Sequence, residues 1–99
     1  YATGHSNGGG FTYLLWAMRG ECLTAVAPSA SAAGKVRTLL KPKPVLHVAG
    51  EGDELVKYSW QAAMIDQLVK LNQCGEPVAW EQDPNVSFYP SALGCPVLT

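Results

Sequence analysis

Tyr1-Ala2-Thr3-Gly4-His5-Ser6-Asn7-Gly8-Gly9-Gly10 opens the chain, and the reading of this stretch decides the fold. A short β-prone run leads into Gly4-His5-Ser6-Asn7-Gly8, and an apolar helical stretch follows directly. Strand, glycine-flanked serine and helix in that order read as a nucleophile elbow. In such an elbow the serine sits at the apex of a sharp, strained turn with its hydroxyl exposed above the sheet. Glycine is expected at positions 4 and 8 because Cβ atoms there would collide with the neighbouring strand and helix.

Downstream of the elbow, Phe11, Leu14, Leu15 and Met18 recur at i, i+3, i+4 and i+7, the apolar stripe of a packed helix. The spacing predicts a helix from Asn7 to about Arg19, with Gly20 as its C-terminal cap. Leu23-Thr24-Ala25-Val26-Ala27 reads as a strand closed by Pro28, and the Ser/Ala/Gly-rich stretch to Gly34 as a loop. Pro44-Val45-Leu46-His47-Val48-Ala49 is a clearer strand, apolar enough for a parallel sheet buried on both faces, and it ends at Gly50. Between Ser59 and Gln73 the pattern is helical again. Trp60, Met64, Ile65, Leu68 and Leu71 share one face, Gln61, Gln67, Lys70 and Gln73 mostly face water, and Gly75 marks the stop. Pro77-Val78-Ala79-Trp80 is a further short strand before a loop around Asp83-Pro84-Asn85, and Pro96-Val97-Leu98-Thr99 opens another.

Strands alternating with helices imply βαβ units and a largely parallel sheet with flanking helices. Residues 1–99 fit at most one domain. Tyr1 starts inside what should be a buried strand and Pro96 begins another, so the chain is expected to be a piece of a larger catalytic domain, truncated at both ends. A formal charge of -1 with 15% charged residues carries no basic patch, which argues against nucleic acid and anionic membrane as partners. No apolar run approaches the ~20 residues needed to span a bilayer.

Reactive groups in parallel sheets collect at the carboxyl ends of the strands. Ser6 follows one strand, and Asp53, in Gly50-Glu51-Gly52-Asp53-Glu54-Leu55-Val56, follows another. A serine hydroxyl needs a base, usually a histidine, which a carboxylate orients. Position makes Asp53 the candidate acid ahead of Glu51 and Glu54; the competing reading is a loop aspartate that caps the next helix or faces solvent. Neither histidine suits the base. His47 lies inside a strand, before the acid, where a packed and hydrogen-bonded core residue is expected, while His5 diverges from its neighbour Ser6. The base is therefore expected beyond Thr99. The backbone N–H of Asn7, at the start of a helix, is the candidate oxyanion donor. Asn7-Gly8-Gly9-Gly10 lacks the lysine of a phosphate-binding loop and the spacing of a dinucleotide fingerprint.

Cys74 and Cys95 enclose a Pro- and Gly-punctuated segment of a length that a disulfide can staple, while Cys22 is left over. Their spacing is not that of a zinc site, and three free thiols remain an alternative. Trp60 and Trp80 are candidates for lining a substrate pocket, against the usual reading of aromatics as core.

Tyr1 to Gly9, Ala25-Val26-Ala27-Pro28, and Pro44-Val45-Leu46-His47 leading to Gly50 and Asp53 closely resemble the polyhydroxybutyrate depolymerase and feruloyl esterase family. The resemblance runs through most of the chain. It implies an α/β-hydrolase fold and a secreted serine esterase acting on a polyester or a small ester through an acyl-enzyme, without metal or organic cofactor. Ser6 would be its nucleophile, Asn7 N–H an oxyanion donor and Asp53 the triad acid. The resemblance also favours a Cys74–Cys95 disulfide. Ala49 and Glu51 depart from the family's acid loop, His-Gly-Thr-Ala-Asp, although the aspartate keeps its place. A non-catalytic module that retains the elbow as a packing relic, and a peptidase or thioesterase of the same fold, are the alternatives.

Overall fold

The computed structural model describes all of Tyr1–Thr99, arranged as an α/β domain around one mixed sheet. In chain order the elements are β1 (Ala2–His5), α1 (Asn7–Arg19), β2 (Val26–Ser29), β3 (Val45–Leu46), α2 (Tyr58–Leu71), β4 (Val78–Trp80), β5 (Asp83–Tyr89) and β6 (Val97–Leu98). Short 3-10 turns at Gly20–Cys22 and Gly34–Leu39 fill two of the connections. The sheet order is β1-β2-β3-β6-β5-β4. β1, β2, β3 and β6 run parallel, and the β4–β5 hairpin extends the sheet antiparallel beyond β6. No helix is long and apolar enough to cross a membrane.

Both helices pack on one face of the sheet. Tyr13 and Trp16 of α1, Met64 and Leu68 of α2, and Val26, Val45 and Val97 of the strands form a single buried cluster, joined by Ala33 and Leu40 from the connections. Burying each large aliphatic side chain there contributes about 2 kcal/mol. Asn72, fully buried at the end of α2, ties that helix to the run-in of β3: its Nδ2 donates to the Lys43 carbonyl at 2.7 Å and its Oδ1 accepts from Lys43 N at 3.2 Å.

The opposite face of the sheet is open. Along β3, Val45 and His47 are buried while Leu46 and Val48 are exposed, because successive side chains of a strand alternate between faces. The expectation of a strand buried on both faces is therefore corrected: only one face carries helices. Tyr1, Thr3, Ala25, Ala27, Leu46 and Leu98 line a shallow apolar depression of about 320 Å³ on the bare face.

Several boundaries differ from the sequence reading, each for a local reason. β2 begins at Val26 rather than Leu23 and runs through Pro28. Val26 N and Ala30 N both donate toward β3, to Pro44 O and Val48 O, so by alternation residue 28 should bond there too. Proline has no N–H to give. The β2–β3 ladder breaks at that point, leaving one paired position and an isolated Ser29–Val48 bridge, and this gap limits β3 to Val45–Leu46. Gly20 adopts right-handed helical torsions, not a left-handed cap, and passes α1 into a 3-10 turn. Helix α2 ends not at Gly75 but through Gln73, whose φ of 50° reverses the chain. The Asp83-Pro84-Asn85 turn signal hid the start of β5, whose Tyr89 and Phe88 pair with Val97 and Leu98.

The largest correction concerns α1. Phe11, Leu14 and Met18 are exposed, and the buried face is Gly9, Thr12, Tyr13 and Trp16, which has the same i, i+3, i+4, i+7 spacing. Two features select that face. A Cβ on Gly9 would lie 2.7 Å from the Ser29 carbonyl oxygen, so glycine lets the helix backbone approach β2. The polar tips of the two aromatics also find interior partners, Tyr13 Oη at His47 Nδ1 and Trp16 Nε1 donating to the Lys41 carbonyl at 3.0 Å.

Candidate functional site

Ser6 occupies the junction of β1 and α1 with φ 54° and ψ -115°, in a region that side-chain-bearing residues rarely enter. Its backbone is held at both ends. Ser6 N donates to the Ser29 carbonyl at 2.9 Å, and Ser6 O accepts the first helical bond from Gly10 N at 3.0 Å. A serine in front of a helix ordinarily has extended torsions and caps the first turn with its hydroxyl. Ser6 does neither: its side chain makes no capping bond and is exposed.

Gly4 is required by contact. A Cβ there would collide with the Gly8 carbonyl and lie 2.9 Å from Gly9 N, both backbone atoms with nowhere to move. Gly8 is different, since nothing lies within 4 Å of the Cβ it would carry. The expectation of a collision at position 8 is corrected: the close approaches belong to Gly4 and Gly9. His5 is exposed, with Nδ1 3.1 Å from Ser29 Oγ. Asn7 is the first residue of α1, where backbone N–H groups have no partner inside the helix and the positive end of the dipole favours an anion.

Asp53 lies in the loop that follows β3. Because β1 and β3 are parallel to β2 and flank it, this loop and the elbow leave the same edge of the sheet, separated by two strand spacings, about 10 Å. Asp53 N donates to Gly50 O at 3.1 Å, closing the loop. Its Oδ1 accepts from Leu55 N and Val56 N at 3.0 and 2.9 Å, so the local turn-stabilising role of a loop aspartate is real here. One carboxylate oxygen is left over, and Gln61 Nε2 donates to that Oδ2 at 3.3 Å. Glu51 and Glu54 are exposed and make no side-chain hydrogen bond, so of the three carboxylates only Asp53 is held in place.

Gln61 reverses an expectation. Placed on the water-facing side of α2 by its polarity, it is fully buried, with Nε2 donating both to Asp53 Oδ2 and to the Val56 carbonyl at 2.8 Å. Nothing in the local sequence marks it, because its partners come from the loop before the helix. His47 is buried, as a strand histidine should be, and its Nδ1 lies 2.6 Å from the Tyr13 hydroxyl. Burial lowers the His47 pKa below the usual 6.5, with the Gln61 side chain acting weakly against it, and burial pushes the Tyr13 phenol upward. Neither histidine is brought to Ser6 by a hydrogen bond.

The expected Cys74–Cys95 disulfide is not formed: Cys22, Cys74 and Cys95 are free thiols. Cys74 Sγ points at the Cys95 carbonyl, 4.0 Å away, and Cys95 Sγ turns toward the Leu93 carbonyl at 3.7 Å, so each sulfur faces backbone oxygen. Burial, reinforced by the neighbouring Cys95, raises the Cys74 thiol. Trp60 and Trp80 are exposed rather than core; Trp60 is stacked under the Lys57 ammonium, 5.6 Å from the ring centroid.

The chain matches no protein-family model and no curated protein sequence.

Proposed function

We propose that this chain carries the nucleophile and the acid of a serine carboxylic-ester hydrolase of α/β-hydrolase type. The observation that carries the reading is Ser6 itself. It stands between strand and helix at φ 54° with its hydroxyl exposed and not spent on a cap, the state a nucleophile elbow requires and an ordinary capping serine avoids. The parallel order β1-β2-β3-β6, with Asp53 after β3 on the same edge as Ser6, supports the same reading.

Chemically, Ser6 Oγ attacks the ester carbonyl carbon as a histidine takes its proton. The tetrahedral oxyanion is met by the Asn7 N–H at the head of α1, and collapse expels the alcohol, which takes the proton back from the imidazolium. Water then repeats the sequence on the acyl-enzyme. Asp53 orients the histidine and stabilises its charged form. With His5 beside Ser29 and His47 committed to Tyr13, the base comes from outside these residues, in a loop following β6. The ester substrate and a secreted location rest on the family resemblance of the sequence.

A fluorophosphonate probe on the folded full-length protein tests the reading. Labelling that disappears in Ser6→Ala supports the hydrolase. A folded protein that does not label, or one whose labelling survives Ser6→Ala, leaves the elbow as a packing relic.

A further inference from the structure

β2 ends between Ser6 and Asp53, and the way the chain leaves β2 decides what fits between them. Ser6 follows β1, Asp53 follows β3, and β2 is the strand between, parallel to both. Two strand spacings, about 10 Å, therefore separate the ends of β1 and β3. A histidine ring with one hydrogen bond of about 2.8 Å on each side spans roughly 8 Å, which fits this width. A chain running straight on from β2 would occupy the same place.

The exit is made at Ala30. Its φ of 48° lies in the left-handed region, which a side-chain-bearing residue seldom enters. Only Ser6, Ala30 and Gln73 among the non-glycine residues have positive φ, and the first two stand side by side at the ends of paired strands, because His5 pairs with Ser29. Separate contacts fix the turn on each side. Toward β1, the Ser29 carbonyl accepts from Ser6 N at 2.9 Å, and Ser29 Oγ lies 3.1 Å from His5 Nδ1. Toward β3, Ala30 N donates to the Val48 carbonyl at 2.9 Å and Val48 N donates to Pro28 O at 3.1 Å, two residues before the Gly50 carbonyl that accepts from Asp53 N. Beyond Ala30 the chain passes against the first turn of α1. Ser31 is 3% exposed, its Cβ would lie 2.8 Å from a Cβ on Gly9, and Ala33 joins the core. This route has a visible cost, since Ser31 Oγ is buried without a hydrogen-bond partner.

We propose that Ala30 is a positioning residue for the site formed by Ser6 and Asp53: its left-handed turn carries the chain from β2 to the first turn of α1, which keeps the gap between elbow and acid loop clear and fixes its width. In its consequence for catalysis this rests on Ser6 and Asp53 being nucleophile and acid. An extended torsion at Ala30 would continue the strand direction and place Ser31 over the end of β2, in the gap, instead of against Gly9. Strain of this kind persists only where the surroundings over-determine it, and the bonds of Ser29 to Ser6 and of Ala30 to Val48 do so here. The same two bonds tie the elbow, through the end of β2, to the strand that leads into the acid loop.

The test uses the folded full-length protein. Backbone scalar couplings of the 15N- and 13C-labelled protein are expected to give a positive φ at Ala30. Valine is strongly disfavoured at positive φ, whereas glycine and asparagine tolerate it. On a p-nitrophenyl ester, Ala30→Val is expected to lower kcat by roughly 10²-fold with KM little changed. Ala30→Gly and Ala30→Asn are expected to bring kcat back to within a few-fold of the unsubstituted value, a pattern that follows the torsion and not the size of the side chain. A negative φ at Ala30 overturns the proposal even if Ala30→Val fails to fold. Folded Ala30→Val with unchanged kcat overturns it too, as do Ala30→Gly and Ala30→Asn variants as impaired as Ala30→Val. Absence of Ser6-dependent fluorophosphonate labelling in the unsubstituted protein refutes the hydrolase reading and the role of Ala30 with it. Labelling that is present beside full kcat in Ala30→Val overturns the role of Ala30 alone.

Discussion

The hydroxyl of Tyr13 lies 2.6 Å from Nδ1 of His47, with both side chains out of solvent, and this contact ties α1 to the strand beneath it across 34 residues of sequence. A neutral imidazole suits it, with the tautomer deciding which of the two groups donates. A phenol can donate to Nδ1 only while that nitrogen is bare, and burial already disfavours the charged ring.

Stability should therefore fall on the acid side of neutrality. The folded-state pKa of His47 is depressed below the unfolded value of 6.5, so between the two the unfolded chain binds more protons. The His47 contribution is complete above 6.5 and is lost as pH falls toward the depressed folded value. Urea denaturation at a series of pH values is expected to show this loss, and His47→Gln should flatten that part of the profile. A profile unchanged by the substitution would count against a neutral, buried His47.

Gly4 and Gly8 should separate sharply although they occupy matching places in the motif. Gly4→Ala drives a methyl into the backbone of Gly8 and Gly9 and is expected to cost about 3 kcal/mol or more. Gly8→Ala enters open space in the first turn of α1, where alanine is the better helix former, and should be neutral or stabilising by up to about 1 kcal/mol. Chemical denaturation of the two variants checks this, and equal losses would refute the geometry of the elbow.

Ser6 holds a conformation that only glycine adopts without cost. Ser6→Gly is expected to raise stability by about 1 kcal/mol while abolishing fluorophosphonate labelling, whereas Ser6→Ala abolishes labelling without that gain. Denaturation midpoints together with labelling give the readout, and a destabilised Ser6→Gly would argue against stored strain.

The two stripes of α1 should respond oppositely to truncation. Trp16→Ala opens a hole in the core and removes the bond to Lys41 O, for an expected loss of about 3–5 kcal/mol. Phe11→Ala removes a side chain that is 61% exposed and should change stability by no more than about 0.5 kcal/mol. A large loss at Phe11 with a small one at Trp16 would restore the face that hydrophobicity alone suggests.

Much of the site was legible because its signals are local. A serine between glycines, behind a β-prone run and ahead of a helical one, specifies both the turn and its strain, and Asp53 follows from its place after a strand. Gln61 was illegible for the converse reason. Its partners, Asp53 and Val56, lie outside its helix, and a glutamine with no partner in view reads as a surface residue. The turn at Asp83-Pro84-Asn85 likewise concealed a strand whose pairing with β6 lies ahead of it in the chain.

By itself the sequence determined the local backbone: an α/β succession, a strained serine at a strand-to-helix junction, and two helices close to their true lengths. These follow from torsional preferences and side-chain periodicity, which act over a few residues. Only the tertiary structure decided which face of α1 is buried, that the sheet is covered on one side, and that Gln61 reaches Asp53 from inside. The physical reason is that α1 has two stripes of identical helical spacing, Phe11-Leu14-Leu15-Met18 and Gly9-Thr12-Tyr13-Trp16. Apolar area favours the first. The second is buried because glycine permits close approach to Ser29, and because Lys41 O and His47 Nδ1, 25 and 34 residues away, satisfy the polar ends of its aromatics.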